Sequence, residues 1–131
     1  MRIPILRLGD ILLTSIQVDL TDAEVMQFQT DVLHAIAETE ARGLAIDITA
    51  LEVVDSFMAR TINDTASMAR MIGSEVVVCG MRPAVALTLI EMGRGLIGVE
   101  TTFNLDEGLF RLSKRIAQRG DNSLLDDDDA A

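Results

Sequence analysis

Three side chains have the types and spacing to support chemistry at one place: Asp47, Asp55 and Ser56. Asp47 lies in the apolar run 44–48, which is typical of a strand buried on both faces. From Ser56 onward the apolar spacing becomes helical, so Asp55 and Ser56 lie where a loop passes into a helix. Both are good N-cap residues, and the free N–H groups and dipole at a helix start also tolerate an added anion. Ser56 is therefore the leading candidate for a functional residue, and a helix cap without further function is the alternative.

A catalytic role for this cluster finds little support elsewhere in the sequence. A hydrolytic centre made of Asp47, Asp55 and Ser56 has no histidine or lysine near it, since Lys114 is the only lysine. The only histidine, His34, lies beside the apolar stripe of a predicted helix, which favours a surface position. The sequence contains no nucleophile elbow, metal-ligand cluster or phosphate-binding glycine loop. We therefore predict that the protein is not an enzyme and uses no metal or cofactor. A core almost without aromatic residues also gives little support to a small-ligand sensor.

Composition and charge restrict the partners and the compartment. A chain of 131 residues with 49% apolar and 24% charged residues has the size of one globular domain. Its net charge of −10 argues against binding to nucleic acid or to an anionic membrane. No apolar run approaches the ~20 residues of a membrane span, and the start of the sequence lacks a signal-peptide pattern. The single cysteine, Cys79, lies in an apolar run that predicts a buried thiol, so a reducing cytoplasm is the expected location.

Turn and capping signals divide the chain into elements in the order β-β-α-β-α-β-α-β-α. Pro4 favours an edge strand at the start, because proline cannot donate a hydrogen bond to a neighbouring strand. The strand–helix–strand pattern across residues 44–80 predicts parallel, right-handed pairing. The expected fold class is α/β: a single domain with a mixed β-sheet and amphipathic helices packed mainly on one face. We expect the domain to span residues 1–118, and the acidic residues 119–131 to form a disordered tail.

The stretch around Ser56 resembles the STAS domain, the fold of anti-sigma-factor antagonists. In this chain Asp47 stands at a predicted strand end, and Val-Val-Asp-Ser-Phe follows at a predicted helix start, residues 53–57. The resemblance extends over residues 3–118 and matches the predicted element order. In that family the serine matching Ser56 is phosphorylated by a partner kinase. The resemblance therefore implies a phosphorylation site at Ser56.

Further residues are similar to one branch of the family, the S-type scaffolds of the stressosome. Ordinary antagonists usually have Asp-Ser-Ser-Gly-Leu at the phosphorylation site, whereas Phe57 and Met58 replace the Ser-Gly part here. The start of the chain, Ile-Pro-Ile-Leu at residues 3–6, also looks like this branch. So does Arg-Pro-Ala-Val-Ala-Leu-Thr-Leu-Ile-Glu-Met-Gly at residues 82–93, which is the most discriminating run.

This resemblance implies a stoichiometric switch rather than catalysis. S-type scaffolds co-assemble with sensor-bearing RsbR-type STAS paralogues into a large assembly, which holds a serine/threonine kinase of the RsbT type. On stress the kinase phosphorylates the scaffold and leaves, and a dedicated phosphatase resets the site. The alternative is a free anti-sigma-factor antagonist that binds an anti-sigma kinase without forming a large particle.

The resemblance and the capping rules also suggest roles for Asp55, Asp47 and Thr88. Asp55 is expected to cap the helix and to position the Ser56 hydroxyl. Asp47 is expected to hold the same loop by accepting hydrogen bonds from backbone N–H groups. The favoured interpretation is that both carboxylates are structural and take no part in catalysis. Thr88 matches the place of a second phosphorylated threonine in the sensor-bearing paralogues. Because S-type chains are not generally described as using that threonine, helix packing is the favoured role for Thr88.

Overall fold

A computed structural model of the chain describes residues 3–91 and 99–130, with side chains described as far as Arg119. Within these residues the chain forms strands β1 (Ile5–Leu8), β2 (Ile11–Ser15), β3 (Gly43–Asp47), β4 (Glu75–Cys79) and β5 (Glu100–Thr102), and helices α1 (Asp22–Thr39), α2 (Ser56–Met71), α3 (Pro83–Glu91) and α4 (Leu105–Ala130). The order in the chain is β-β-α-β-α-β-α-β-α, so the predicted order is confirmed.

The five strands form one mixed sheet in the order β1-β2-β3-β4-β5. β1 pairs antiparallel with β2 through a tight turn in which Gly9 takes a left-handed backbone conformation with φ 61°. β2, β3, β4 and β5 are parallel, and a helix forms each connection between them. The mixed sheet and the parallel crossovers are therefore confirmed. β1 lies at the edge of the sheet, as Pro4 predicted, and it begins at Ile5, just after the proline whose nitrogen has no hydrogen to donate.

Alternate side chains of the central strands fill two separate apolar layers. On one face, strand residues such as Leu44, Ile46 and Val78 pack with buried residues of α1, α2 and α3. On the other face, strand residues that include Ala45 and Val77 pack against α4. Three of the four described helices thus share one face, in agreement with the prediction. The fourth, α4, covers the opposite face of β3 and β4.

Helix α4 extends beyond the last residue whose side chain is described. The sequence predicts a disordered tail over residues 119–131, and α4 as assigned from the backbone runs to Ala130. A helix can extend past its packing partners, because each added residue makes a backbone hydrogen bond within the helix itself. The side chains of residues 120–131 lie outside the described residues, so the domain boundary and the disorder of the tail stay predictions. The last two residues of the 82–93 run also lie outside the described residues.

Candidate functional site

The candidate site lies at the edge of the sheet where the parallel strands end. Ser15, Asp47, Cys79 and Thr102 are register partners across β2, β3, β4 and β5, so the four strands end level with one another. The loops that follow these ends lead into the N-termini of the four helices. In open α/β sheets such loops commonly carry the functional residues. The loop after β3, residues 48–55, leads to Ser56.

This loop is held in a fixed path by its own backbone and by two buried side chains. The Ile48 N–H donates to the carbonyl of Cys79 at 2.9 Å, and the Leu51 N–H donates to the carbonyl of Ile48 at 3.0 Å. The side chains of Leu51 and Val54 are buried in the main core. Glu52 and Val53, between these two anchors, point into solvent. The loop therefore has a rigid base and an exposed tip.

Asp47 holds the first turn of the same loop. One carboxylate oxygen, Oδ1, accepts from the Thr49 N–H at 3.0 Å and from the Thr49 hydroxyl at 2.5 Å. The residue is half-buried at the end of β3, and its own carbonyl accepts from the Ile16 N–H at 3.0 Å. The predicted loop-holding bond from a backbone N–H is thus present. Because this oxygen is already engaged with Thr49, the geometry fits a structural role.

Asp55 caps α2, as the sequence predicted. Its backbone is extended (φ −75°, ψ 170°), and its carboxylate accepts from the Met58 N–H at 2.8 Å. Its carbonyl accepts the first intrahelical hydrogen bond, from the Ala59 N–H at 3.0 Å. This arrangement satisfies one of the free N–H groups of the first turn. The start of α2 is therefore fixed at the residue before Ser56.

Ser56 is the first residue of α2, and its side chain is exposed. The next two residues face the core: Phe57 packs against the main cluster, and Met58 is buried in it. Within the part of the chain that the structure describes, no hydrogen bond engages the Ser56 hydroxyl. Nor does a histidine or lysine there contact it to remove its proton. The arrangement presents an alcohol to a partner, and a partner must supply the base for any reaction at it.

A link between the loops after β3 and β4 was not found by sequence reasoning. The Arg82 side chain donates through Nε to the carbonyl of Thr49 at 3.0 Å. Gly80 has φ +76°, and a Cβ there would collide with the Thr49 side chain. The two loops are thus packed closely together. Arg82 is 33 residues from Thr49 in sequence, and no local pattern pairs residues at such a separation.

Two other candidates lie on different helices. Thr88 is half-buried on α3, and its hydroxyl donates to the carbonyl of Ala84 at 3.0 Å. No hydrogen bond among the described residues joins Thr88 to Ser56, Asp47 or Asp55. His34 is exposed on α1, where its Nε2 lies 3.1 Å from a carboxylate oxygen of Glu38. The predicted surface position of His34 is confirmed.

Metal-ligating residues do not converge anywhere in the described segments: no group of three or more His, Cys, Asp or Glu side chains there is arranged to hold an ion. None of the helices, searched over the described residues, has the length and apolar character needed to cross a membrane. The buried Cys79 lies on the α4 face of the sheet, and burial raises the pKa of its thiol. Among the described residues, neither a group of metal-ligating side chains nor an exposed thiol accompanies Ser56.

Comparison with known proteins places this geometry in a family. The family model of the STAS domain matches residues 2–103. The chain belongs to the STAS-domain family. Two solved structures resemble this STAS domain closely. One is a serine-to-glutamate variant of RsbS from Moorella thermoacetica, with 42% identity, a TM-score of 0.80, and coverage of 90% of this chain and 99% of that chain. The other is a chain from a solved structure of the stressosome, with 42% identity, a TM-score of 0.77, and coverage of 86% of this chain and 98% of that chain.

A curated relative is similar to part of this chain. The RsbT co-antagonist protein RsbRA of Bacillus subtilis (strain 168) is 29% identical to this STAS domain over 79 residues, which is 60% of this chain. The chain spans only 29% of the length of that relative. The likeness to RsbS and to RsbR-type proteins supports a role as a STAS scaffold or antagonist.

Proposed function

We propose that this chain is a non-catalytic stressosome scaffold that holds an RsbT-type serine/threonine kinase and releases it when Ser56 is phosphorylated. The observation that carries the proposal is the exposed Ser56 hydroxyl at the first residue of α2, after a loop fixed at both ends. The 42% identity to RsbS over nearly all of that chain supports the scaffold role. The likeness to RsbRA supports co-assembly with RsbR-type paralogues in a large particle. A dedicated phosphatase resets the site, and the cycle takes place in the cytoplasm.

The reaction at Ser56 is a phosphoryl transfer performed by the partner. A bond forms between Oγ of Ser56 and the terminal phosphorus of ATP, while the bond from that phosphorus to ADP breaks. The hydroxyl proton leaves to a base that the kinase supplies. Thr88 is a poorer acceptor, because its hydroxyl is half-buried and already donates to the Ala84 carbonyl. We therefore place the first phosphate on Ser56.

The fold should survive this modification. Phosphorylation at Ser56 breaks no hydrogen bond in the described part of the chain and adds about 1.5 to 2 negative charges. The helix N-terminus favours that charge by about 0.3 to 1 kcal/mol at an exposed position. The carboxylate of Asp55, one residue earlier, opposes it by a similar amount. The RsbS structure of Moorella is itself a serine-to-glutamate variant, and it retains a fold that superposes on this chain with a TM-score of 0.80.

The complex with a docked kinase is far more sensitive to this phosphate than the fold of the domain is. Covering an unpaired dianion with an interface fitted to a neutral hydroxyl costs several kcal/mol, because the charge loses its water. Each ~1.4 kcal/mol lowers affinity about tenfold. Phosphorylation at an exposed residue of a rigid site therefore weakens the complex and leaves the domain folded. The scaffold acts as a binding switch.

The test is to incubate the chain with ATP and the kinase encoded in its own gene cluster, and to map the phosphate by mass spectrometry. Kinase affinity and melting temperature are then measured for Ser56→Asp and Ser56→Ala. We expect Ser56→Asp to bind at least tenfold more weakly than Ser56→Ala, with melting temperatures that agree within about 2 °C. Ser67→Asp and Ser67→Ala are matched controls, because Ser67 is an exposed serine on the same helix.

Two results would contradict the proposal. A phosphate that maps elsewhere removes Ser56 from the switch, and equal kinase binding by Ser56→Asp and Ser56→Ala removes the electrostatic explanation. Size-exclusion chromatography with the RsbR-type paralogue separates the scaffold from the free antagonist. Only a scaffold elutes as a very large particle.

A further inference from the structure

A groove between α4 and β5 has a basic and aromatic lining. Its volume is about 480 Å³, and its lining residues are Glu100, Phe110, Arg111, Lys114, Arg115 and Gln118. The part of α4 that forms it, residues 108–119, contains four of the 11 lysines and arginines of the chain and no acidic residue. In a protein with a net charge of −10, this part of α4 is a local concentration of positive charge.

The carboxylates around the groove engage two of these four cations. Glu100 accepts from Arg111 at 2.8 Å and from Arg115 at 3.2 Å. A carboxylate oxygen of Glu107 lies 3.4 Å from Arg111, and one of Glu75 lies 3.9 Å from Arg115. The two arginines are therefore held in place and partly neutralised.

The other two cations, Lys114 and Arg119, have no carboxylate within salt-bridge distance among the described residues. The Lys114 ammonium lies 5.5 Å from the centroid of the Phe110 ring, and this ring is 62% exposed. Arg119 donates to the carbonyl of Gly73 at 2.9 Å. Asp106 precedes Lys114 by about 12 Å along the helix, which exceeds the Debye length of about 8 Å at physiological salt. The groove thus offers a cation without an acidic partner beside an exposed aromatic ring.

A segment with the complementary composition follows in the same chain. Residues 121–129 contain five aspartates and no basic residue, and two leucines stand directly before the run of four aspartates. The segment lies outside residues 2–103, which the STAS family model matches. The shared STAS domain therefore does not account for its composition.

The acidic segment does not reach the groove of its own chain while α4 is one helix. The backbone of α4 is helical from Leu105 to Ala130. At about 1.5 Å per residue, Asp126 lies about 18 Å beyond Lys114 along the helix axis, and a helix cannot turn back on itself. A second copy has no such restriction. Two copies related by a two-fold axis can each place the segment on the groove of the other, so both contacts form together.

We propose that the groove formed by Phe110, Arg111, Lys114 and Arg115 binds the acidic C-terminal segment, residues 121–129, of a second copy of this chain. The aspartates complement the basic side chains, and the leucines cover the exposed ring of Phe110. This inference goes beyond the proposed function. It joins two copies through a surface separate from the start of α2, and the switch at Ser56 does not depend on it.

The net charge of the protein gives the test a clear sign. Two copies with a net charge of −10 repel each other, so removal of negative charge should strengthen any association that does not use the acidic segment. At the proposed contact, removal of the aspartates instead eliminates the attraction. Neutralising the segment therefore has opposite effects under the two explanations.

Self-association of the full chain is measured by sedimentation equilibrium over a range of protein concentrations at physiological ionic strength. Changing residues 126–129 from aspartate to asparagine shifts the net charge to −10 + 4 = −6. We expect dimerisation about tenfold weaker, because an exposed ion pair contributes up to about fivefold in affinity and a two-fold interface contains each pair twice. The matched control changes four exposed acidic residues outside α4 to amides and should not weaken dimerisation: Asp10, Asp19, Glu38 and Glu40.

A double-mutant cycle tests whether the groove is the binding partner of the segment. Lys114→Gln should weaken dimerisation about fivefold in the unmodified chain and have no further effect once residues 126–129 are asparagine. Phe110→Ala should weaken it about threefold to tenfold, whereas Met71→Ala, at an 84% exposed residue of α2, should leave it unchanged. Melting temperatures at concentrations where the chain is monomeric confirm that each variant is folded.

The outcomes are independent of those for the proposed function. If the asparagine variant dimerises as well as the unmodified chain or better, or if the unmodified chain is monomeric at every concentration, the inference is overturned. If Lys114→Gln has the same effect with and without the aspartates, the segment does not bind this groove, and the inference is likewise overturned. In each of these cases the phosphorylation of Ser56 and the release of the kinase still stand or fall by their own test.

Discussion

Replacing Asp55 by alanine should lower the stability of the domain, because its side chain caps α2. The carboxylate accepts from the Met58 N–H at 2.8 Å and is the only side-chain cap described at the start of α2. Loss of such a cap costs about 1 kcal/mol, within a range of about 0.5 to 2. For a domain of this size, 1 kcal/mol corresponds to about 4 °C in melting temperature. We expect Asp55→Ala to melt about 4 °C below the unmodified chain.

Two variants distinguish capping from charge at Asp55. Asp55→Asn retains a side-chain oxygen for the Met58 N–H and loses only the charge–dipole interaction, so its melting temperature should fall by less than that of Asp55→Ala. Ser56→Ala removes a hydroxyl that makes no described hydrogen bond and should melt with the unmodified chain. Scanning calorimetry of the four proteins measures the differences. If Asp55→Ala matches the unmodified chain, or if asparagine and alanine are equally harmful, the capping argument is wrong.

Two further predictions concern the buried thiol and the domain boundary. Burial raises the pKa of the Cys79 thiol, so the folded protein should resist iodoacetamide at pH 8 and react once unfolded in urea. The Cys79 thiol loses its proton at a lower pH in the unfolded chain than in the folded protein, so the free energy of unfolding should fall as pH rises above about 8.5. This dependence on pH should be absent in Cys79→Ala. Rapid alkylation of the folded protein would contradict the burial of the thiol. Ending the chain after Arg119 should change the melting temperature by less than about 2 °C, because the truncated chain keeps Ile116 packed on the sheet and the bond from Arg119 to the Gly73 carbonyl. A larger loss would extend the domain into residues 120–131.

Local signals in the sequence were sufficient for the order of the elements and for the start of α2. Asp55 is followed by helical apolar spacing, and this pattern alone predicts a cap whose hydrogen bond to Met58 is present. Thr21 and Glu24 show the same principle, since their capping-box spacing gives both reciprocal hydrogen bonds at the start of α1. These interactions connect residues three apart, so their geometry follows from the helix itself.

Features that depend on residues far apart in sequence could not be obtained in this way. The apolar stripe of α4 shows that one face is buried, but it does not say which face of the sheet receives it. The close contact of α4 with the sheet uses a glycine: Gly108 packs against Cys79, Thr102 and Val77, where a Cβ would collide with the cysteine sulfur. The bond from Arg82 to the Thr49 carbonyl likewise joins two loops that only the folded sheet brings together.

The rigidity of the loop determines what kind of switch Ser56 can be. A hydroxyl on a loosely held segment would respond to phosphate by a change in local order, and the signal would be structural. Here the buried Leu51 and Val54, the bonds of Asp47 to Thr49 and the cap at Asp55 leave the backbone before Ser56 little freedom to rearrange. The added charge therefore acts on whatever covers the helix start. Under the proposed function, phosphate at such a site changes the affinity of a partner and leaves the contacts within the domain in place.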